Sequence, residues 1–117
     1  MQEAKYSPDC VCCELLAHKW TPQIVAVLLA GPHRFSAIHA TIPALSDKVL
    51  SRRLVELEKA GIVSRRQYAE IPPRVEYSLT QAGRGLEGVI AEMDHWSRQF
   101  GRRKAEQRIG TGPTGQS

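Results

Sequence analysis

Apolar residues recur at helical spacing through the first half of the chain, and a residue that commonly caps helices precedes each such stretch. Proline or glycine then marks where most of these stretches stop. The pattern predicts four helices: Pro8–Ala17 after Ser7, Pro22–Ala30 after Thr21, a short helix that Ser36 caps and Pro43 ends, and Asp47–Ala60 after Ser46.

Two β-prone stretches follow. Ile62–Tyr68 is the first, and Val75–Leu79 alternates apolar and polar residues as a half-buried strand does. Pro72 and Pro73 lie between them and cannot continue a paired ladder. The pattern predicts a hairpin with a protruding loop over Ala69–Arg74.

Thr80 is typical of a helix cap, and the residues after it predict one long helix to about Arg103. Its apolar face carries Leu86, Val89, Ile90, Met93, Trp96 and Phe100. A helix of this length cannot bury such a face against so small a domain. We therefore expect Met93, Trp96 and Phe100 to cover a dimer interface, where aromatic residues are common.

A short helix that turns into a longer one, with a hairpin behind it, is the pattern of a winged helix-turn-helix. The expected fold is mainly α with a small two-stranded β-wing, in the α+β class. With 117 residues, 42% of them apolar, the chain has room for one domain. We assign residues 1–105 to it and the Gly-, Thr- and Pro-rich residues 106–117 to a flexible tail.

The net charge of +4 suits a polyanionic partner, and its placement is more informative than its size. On a helical wheel, the leucines of the fourth helix form one stripe and basic residues lie opposite. Such a face can be merely solvated. It can also read DNA, and Lys48, Ser51 and Arg52 are then the residues that reach base edges in the major groove.

Basic residues outside that face favour the DNA interpretation. Arg34 and Arg53 are predicted to contact phosphates, and Arg66 or Arg74 on the hairpin to enter or flank the minor groove. The predicted partner is double-stranded DNA. The sequence has no nucleotide-binding loop, nucleophile elbow or metalloprotease motif, so neither enzymatic activity nor a cofactor is predicted.

Three stretches, HKWTPQIVAVLLAGPHRFSAI, LSDKVLSRRLVELEKAGIVSRR and YAEIPPRVEYSLTQAG, resemble the HxlR-type winged-helix regulators, bacterial relatives of the MarR-like repressors. The resemblance covers about Pro8 to Trp96. It implies a repressor that forms a homodimer through its N- and C-terminal helices and binds a pseudo-palindromic operator. It also implies, as in many members, a thiol that senses oxidants or electrophiles.

The sensing thiol of that family usually lies in a Cys-Pro pair, at the place where this chain has Ser7-Pro8. Cysteines stand instead at positions 10, 12 and 13. We expect Cys10, in the first helical turn, to be the reactive thiol and Cys13 to lie in the core. The pattern assigns Cys12 to neither role. The alternatives are a disulfide across the dimer, a metal site with His18, a thiol-active protein that does not bind DNA, and purely structural cysteines.

An odd number of crowded cysteines favours a reducing compartment. The sequence has no apolar run of membrane length and no signal pattern. We therefore expect a protein of the cytoplasm that is not associated with membranes, and the family resemblance implies a bacterial protein associated with the nucleoid. A fold of this kind that serves only protein interaction is the remaining alternative.

Overall fold

The structure, a computed structural model, describes residues 10–101. These fall into two compact units that divide between Leu86 and Glu87. The elements in chain order are α1 (Val11–Leu16), α2 (Thr21–Leu29), α3 (Phe35–Thr41), α4 (Asp47–Lys59), β1 (Val63–Tyr68), β2 (Arg74–Leu79), α5 (Gln81–Arg84), α6 (Glu87–Trp96) and a π-helical turn (Ser97–Gly101). The expected cap at Ser7, the helix end near Arg103 and the tail 106–117 lie outside the described residues.

The core of the first unit is aliphatic, and the helical spacing of the sequence explains its composition. The α2 and α4 helices each turn one apolar stripe inward, as residues three and four apart on a helix share a face. The buried apolar residues of this unit are Ile24, Val25, Leu28, Ile38, Leu45, Leu50, Leu54, Leu57, Ile62, Val63 and Leu79. The mainly helical fold with a two-stranded sheet is the predicted one.

The hairpin of β1 and β2, here called the wing, is antiparallel with Val63 opposite Leu79 and Tyr68 opposite Arg74. Arg74 begins β2, so the loop between the strands is Ala69–Pro73, one residue shorter than expected. The loop between α2 and α3 adds a single-residue bridge that sequence reasoning missed. There His33 N donates to Tyr77 O at 2.9 Å, and Tyr77 N donates to His33 O at 2.8 Å.

Among the first four helices, the predicted start agrees with the structure for α4 and differs by one to three residues for the others. Ser46 caps α4 as predicted, because its Oγ accepts from Val49 N at 3.2 Å. Thr21 was expected to cap α2 but is its buried first residue, and Trp20, with a φ of 78°, precedes it. Arg34, not Ser36, precedes α3. Cys10 has extended backbone angles and caps α1, so a helix from Pro8 is wrong.

The predicted long final helix is interrupted. Thr80 does cap a helix, with its Oγ1 accepting from Gly83 N at 3.1 Å, but that helix, α5, ends after Arg84. Glycines at positions 83, 85 and 88 weaken helix formation here, since glycine is the poorest helix former after proline. Within the described residues, none of the helices is long and apolar enough to cross a bilayer.

Gly83 is required by close packing and not by its backbone angles. A Cβ built there would overlap Ile62 O and would lie 3.0 Å from Leu79 Cδ2. The cap therefore brings α5 against the start of the wing, where Thr80 Oγ1 also donates to Gly61 O at 2.6 Å. Only a residue without a side chain allows this approach.

We expect Gly83→Ala to lower the free energy of unfolding by about 1–3 kcal/mol, because overpacking forces backbone to shift. Gly88→Ala is the matched control. A Cβ at Gly88 meets no atom of the described residues within 4 Å, so this change should be neutral or stabilising by up to about 1 kcal/mol. Urea denaturation of both variants measures the difference, and equal stabilities would contradict the close approach.

Candidate nucleic-acid interface and thiol cluster

The outward face of α4 is defined by what the helix buries. Leu50, Leu54 and Leu57 are at most 1% exposed, and they place the opposite side of the helix in solvent. Exposed on the first two turns of that side are Lys48, Ser51 and Arg52. Within residues 10–101, no carboxylate forms an ion pair with Lys48 or Arg52. This part of α4 is therefore a protruding cationic face with its donors open to water.

Arg53, predicted to contact phosphate, is directed into the protein. Its side chain is 13% exposed. Its Nε donates to Lys19 O at 2.9 Å, and its Nη1 lies 3.2 Å from Glu56 Oε1. Arg53 directly precedes Leu54 of the buried stripe, so its guanidinium reaches the segment before α2. The phosphate contact of Arg53 stays a prediction, and it would have to compete with these two partners.

The same contact joins α4 to the segment that follows α1. Besides the Arg53 bond to Lys19 O, His18 Nδ1 lies 4.0 Å from Glu56 Oε1. Sequence reasoning could have found the Arg53–Glu56 pair from its i,i+3 spacing. It could not find the bond to a main-chain carbonyl 34 positions away.

Arg74, predicted for the minor groove, is held by the wing itself. Its Nη2 lies 3.0 Å from Glu70 Oε2, and its Nη1 lies 3.5 Å from Glu76 Oε2. The guanidinium also stacks 4.0 Å from the centre of the Tyr68 ring. These contacts leave the side chain 28% exposed and hold the guanidinium against the wing. The groove contact of Arg74 stays a prediction, and it would have to compete with these ion pairs.

The remaining predicted basic residues are accessible. Arg66 is exposed and lies 4.8 Å from the Tyr68 ring centre, on the side of the wing that faces away from the core. Arg34 is exposed directly before α3. At the tip of the wing, Ile71 is fully exposed. Of the two wing arginines predicted to reach the minor groove, Arg66 is therefore the more accessible.

The cysteines lie together at the start of α1. Cys13 N donates to Cys10 Sγ at 3.3 Å, and this hydrogen bond is the main cause that lowers the pKa of the Cys10 thiol. The side-chain hydrogen bond to Cys10 and the proximity of its charge raise the pKa of the Cys13 thiol. Cys13 is exposed, so its expected place in the core is wrong, while Cys10 and Cys12 are partly exposed.

A metal site that uses these cysteines with His18 finds no support in the part of the chain that the structure describes. There, no group of three or more His, Cys, Asp or Glu side chains is arranged to hold a metal ion. The cluster is accordingly a set of free thiols.

The second unit carries an exposed apolar surface. Met93 is 39% exposed, Trp96 61% and Phe100 47%. The Trp96 and Phe100 rings pack against each other with centroids 5.4 Å apart. These three residues were predicted to form a dimer interface, which stays a prediction.

Residues 15–105 match the model of the HxlR-like helix-turn-helix family. The chain belongs to this family. It is 44% identical over 87 residues to the HTH-type transcriptional regulator YvaP of Bacillus subtilis (strain 168). The aligned region covers 74% of this chain and 81% of YvaP. The resemblance seen in the sequence is confirmed, and this HxlR-type chain is a transcriptional regulator and not an enzyme.

Three solved structures of bacterial regulators are similar to most of this chain. The reduced form of YodB from B. subtilis matches with a TM-score of 0.73 and 42% identity over 81% of this chain and 94% of YodB. Quinone-bound YodB matches with a TM-score of 0.66 and 42% identity, over 76% of this chain and 93% of YodB. The redox regulator HypR in its oxidised form matches with a TM-score of 0.72 and 34% identity, over 75% of this chain and 91% of HypR.

We expect Arg53→Ala to lower the free energy of unfolding by about 0.5–1.5 kcal/mol, because it removes the hydrogen bond to the exposed Lys19 carbonyl and the part-buried pair with Glu56. Arg52→Ala removes the same side chain one position earlier, where it is exposed, and should stay within about 0.5 kcal/mol of the parent protein. Thermal unfolding of the two variants tests the assignment. It fails if they are equally stable.

The lowered pKa of Cys10 means that this thiol ionises at lower pH than Cys13. Because the thiolate is the nucleophile, iodoacetamide should alkylate Cys10 in a lower pH range than Cys13. In a Cys10→Ser variant the main cause that raises the Cys13 pKa is gone, so Cys13 alkylation should shift to lower pH. Mass spectrometry across a pH series measures both, and faster labelling of Cys13 in the parent protein would contradict this order.

Proposed function

We propose that this chain is a sequence-specific double-stranded-DNA-binding repressor that acts as a homodimer and responds to oxidants or electrophiles. One observation carries the proposal: α4 exposes Lys48, Ser51 and Arg52 on one face while its leucines are buried. An α-helix fits the major groove, where arginine and lysine bond guanine O6 and N7 and serine bonds several base edges. The start of α4 carries the residue types that such a readout needs.

Two further cations support the α4 face. Arg34, before α3, and Arg66, on β1, are exposed and are proposed to contact phosphates and the minor groove respectively. Arg53 and Arg74 are left out of the interface, because their guanidinium groups already form ion pairs within the protein. The proposed contact set is therefore Lys48, Ser51, Arg52, Arg34 and Arg66.

Dimerisation is proposed through Met93, Trp96 and Phe100, whose exposed apolar area would be covered by a second copy. Two-fold symmetry then presents two α4 helices to the same side of a duplex. The operator would be pseudo-palindromic, with half-sites about one helical turn, ~34 Å, or a multiple of it apart. Such a role would place the protein in the cytoplasm with the chromosome.

The signal is proposed to act on the N-terminal thiols. Among related regulators, YodB has been solved in reduced and quinone-bound forms, and HypR is a redox regulator solved in an oxidised form. In this chain the sulfur with the lowered pKa is that of Cys10, and it is partly exposed. A thiolate at that position is the expected point of attack for an oxidant or an electrophile.

We expect Arg52→Ala to weaken specific binding to the DNA upstream of the protein's own gene by about 5- to 150-fold, equivalent to about 1–3 kcal/mol for a lost base contact. Lys59→Ala is the charge-matched control. It removes one exposed positive charge from the last turn of α4, about 10 Å along the helix, and should change the affinity far less.

Gel-shift titration with specific and unrelated DNA at one salt concentration separates the outcomes. If Arg52→Ala loses affinity for the specific DNA and keeps its affinity for unrelated DNA, the result supports base recognition by α4. Equal affinities for both variants on both DNAs would overturn the proposal.

A further inference from the structure

Three thiols lie within four positions, yet only one pair is arranged to react together. Cys12 and Cys13 are neighbours in the chain, and a disulfide between adjacent residues is strained. Cys10 and Cys13 are three positions apart on one side of the first turn of α1, and Cys10 Sγ lies 3.3 Å from Cys13 N. The first sulfur is therefore already turned back toward the residue that carries the second.

The backbone of Cys10 makes this approach possible. Within a regular helix, Cβ atoms three residues apart are roughly 5–6 Å from each other, farther than the roughly 3.5–4.5 Å of a disulfide. Cys10 stands outside α1, with a ψ of 111°, so its side chain is not bound to helical geometry. Cys10 and Cys13 are also accessible, Cys10 in part and Cys13 largely, so reagents can reach both.

We propose that Cys10 and Cys13 form a dithiol modification site that hydroperoxides convert to a disulfide within one chain, with Cys12 left as a free thiol. This inference rests on the thiol response in the proposed function and deepens it by naming the second sulfur. It differs from a disulfide across the dimer, because no bond joins the two subunits.

The chemistry balances in two steps. The Cys10 thiolate attacks the outer oxygen of the hydroperoxide, so that an S–O bond forms, the O–O bond breaks and an alcohol leaves after taking up a proton. Cys13 then attacks the sulfur of the Cys10 sulfenic acid, an S–S bond forms, and hydroxide leaves as water with the Cys13 proton. The peroxide gains the two electrons that the two thiols lose.

The two sulfurs differ in the way that these roles require. The hydrogen bond from the Cys13 amide lowers the pKa of the Cys10 thiol and favours it as the attacking thiolate. The raised pKa of Cys13 keeps its proton in place until the second step. The backbone amide of Cys12 also helps to lower the pKa of Cys10, but no hydrogen bond joins the Cys12 thiol to either sulfur within the described residues.

The position of the pair links it to the DNA-facing helix. The segment just after α1 contacts α4 at two points, where Lys19 O accepts from Arg53 and His18 lies beside Glu56. A bond that closes the first turn of α1 therefore acts on a short helix whose other end is joined to α4. If the disulfide displaces α1, these contacts would transmit the displacement to α4, and DNA would be released on oxidation.

The test treats the reduced full-length protein with cumene hydroperoxide and blocks remaining thiols with N-ethylmaleimide. The disulfide is then reduced and the released thiols are carbamidomethylated. Trypsin leaves all three cysteines in one peptide, Tyr6–Lys19, so fragmentation of that peptide reads each position. We expect N-ethylmaleimide on Cys12 and carbamidomethyl on Cys10 and Cys13, in a protein that runs as a single chain on a non-reducing denaturing gel.

Cysteine variants separate the pair from the third thiol. Cys12→Ser, the matched control, should still lose two hydrogen atoms on oxidation. Cys13→Ser should not lose them and should instead carry a Cys10 sulfenic acid that dimedone traps. A covalent dimer of the parent protein, or N-ethylmaleimide on Cys10 or Cys13 after complete oxidation, would overturn the assignment.

Gel shifts on the same samples keep the two proposals distinct. If the Cys10–Cys13 bond forms but the reduced protein does not bind the upstream DNA, the DNA proposal fails and the dithiol site stands. If the reduced protein binds and oxidation releases it without that bond, the dithiol assignment fails and the regulator proposal stands.

Discussion

Burial of the α4 leucine stripe is the constraint on which the rest of this molecule depends. Leu50, Leu54 and Leu57 are held in the core, and each contributes roughly 1.5–3 kcal/mol of apolar burial. A helix cannot rotate about its axis without exposing that stripe. Its opposite face is therefore committed to solvent, and the residues there are presented to a partner at no cost in folding energy.

Local signals in the sequence were sufficient for the cap of α4, for the pairing of the two strands and for the orientation of α4. Ser46 caps α4 through an amide three residues away, and the two strands pair as a hairpin around the loop that holds Pro72 and Pro73. The orientation of α4, with Lys48 and Arg52 outside, follows from the same short-range spacing. These features could be predicted without knowledge of the fold.

Local signals were insufficient where a side chain has a partner distant in the chain, where ion pairs within the wing enclose a cation, or where two local preferences compete. Arg53 finds Lys19 O, 34 positions away, and no helical wheel contains that atom. Arg74 lies on a strand whose neighbours supply two carboxylates and a ring, so a cation that looked free is enclosed. At the end of the chain, apolar spacing favoured one long helix, but the glycines beside Thr80 favoured a break.

The bridge between His33 and Tyr77 has a consequence for how this protein can change over evolution. It consists of two main-chain hydrogen bonds, so it attaches β2 to the loop after α2 whatever side chains stand there. The angle at which the hairpin leaves the body is thus insulated from substitutions at its tip. Side chains such as Ile71 and Arg66 can therefore change without altering the main-chain bonds that hold the wing in place.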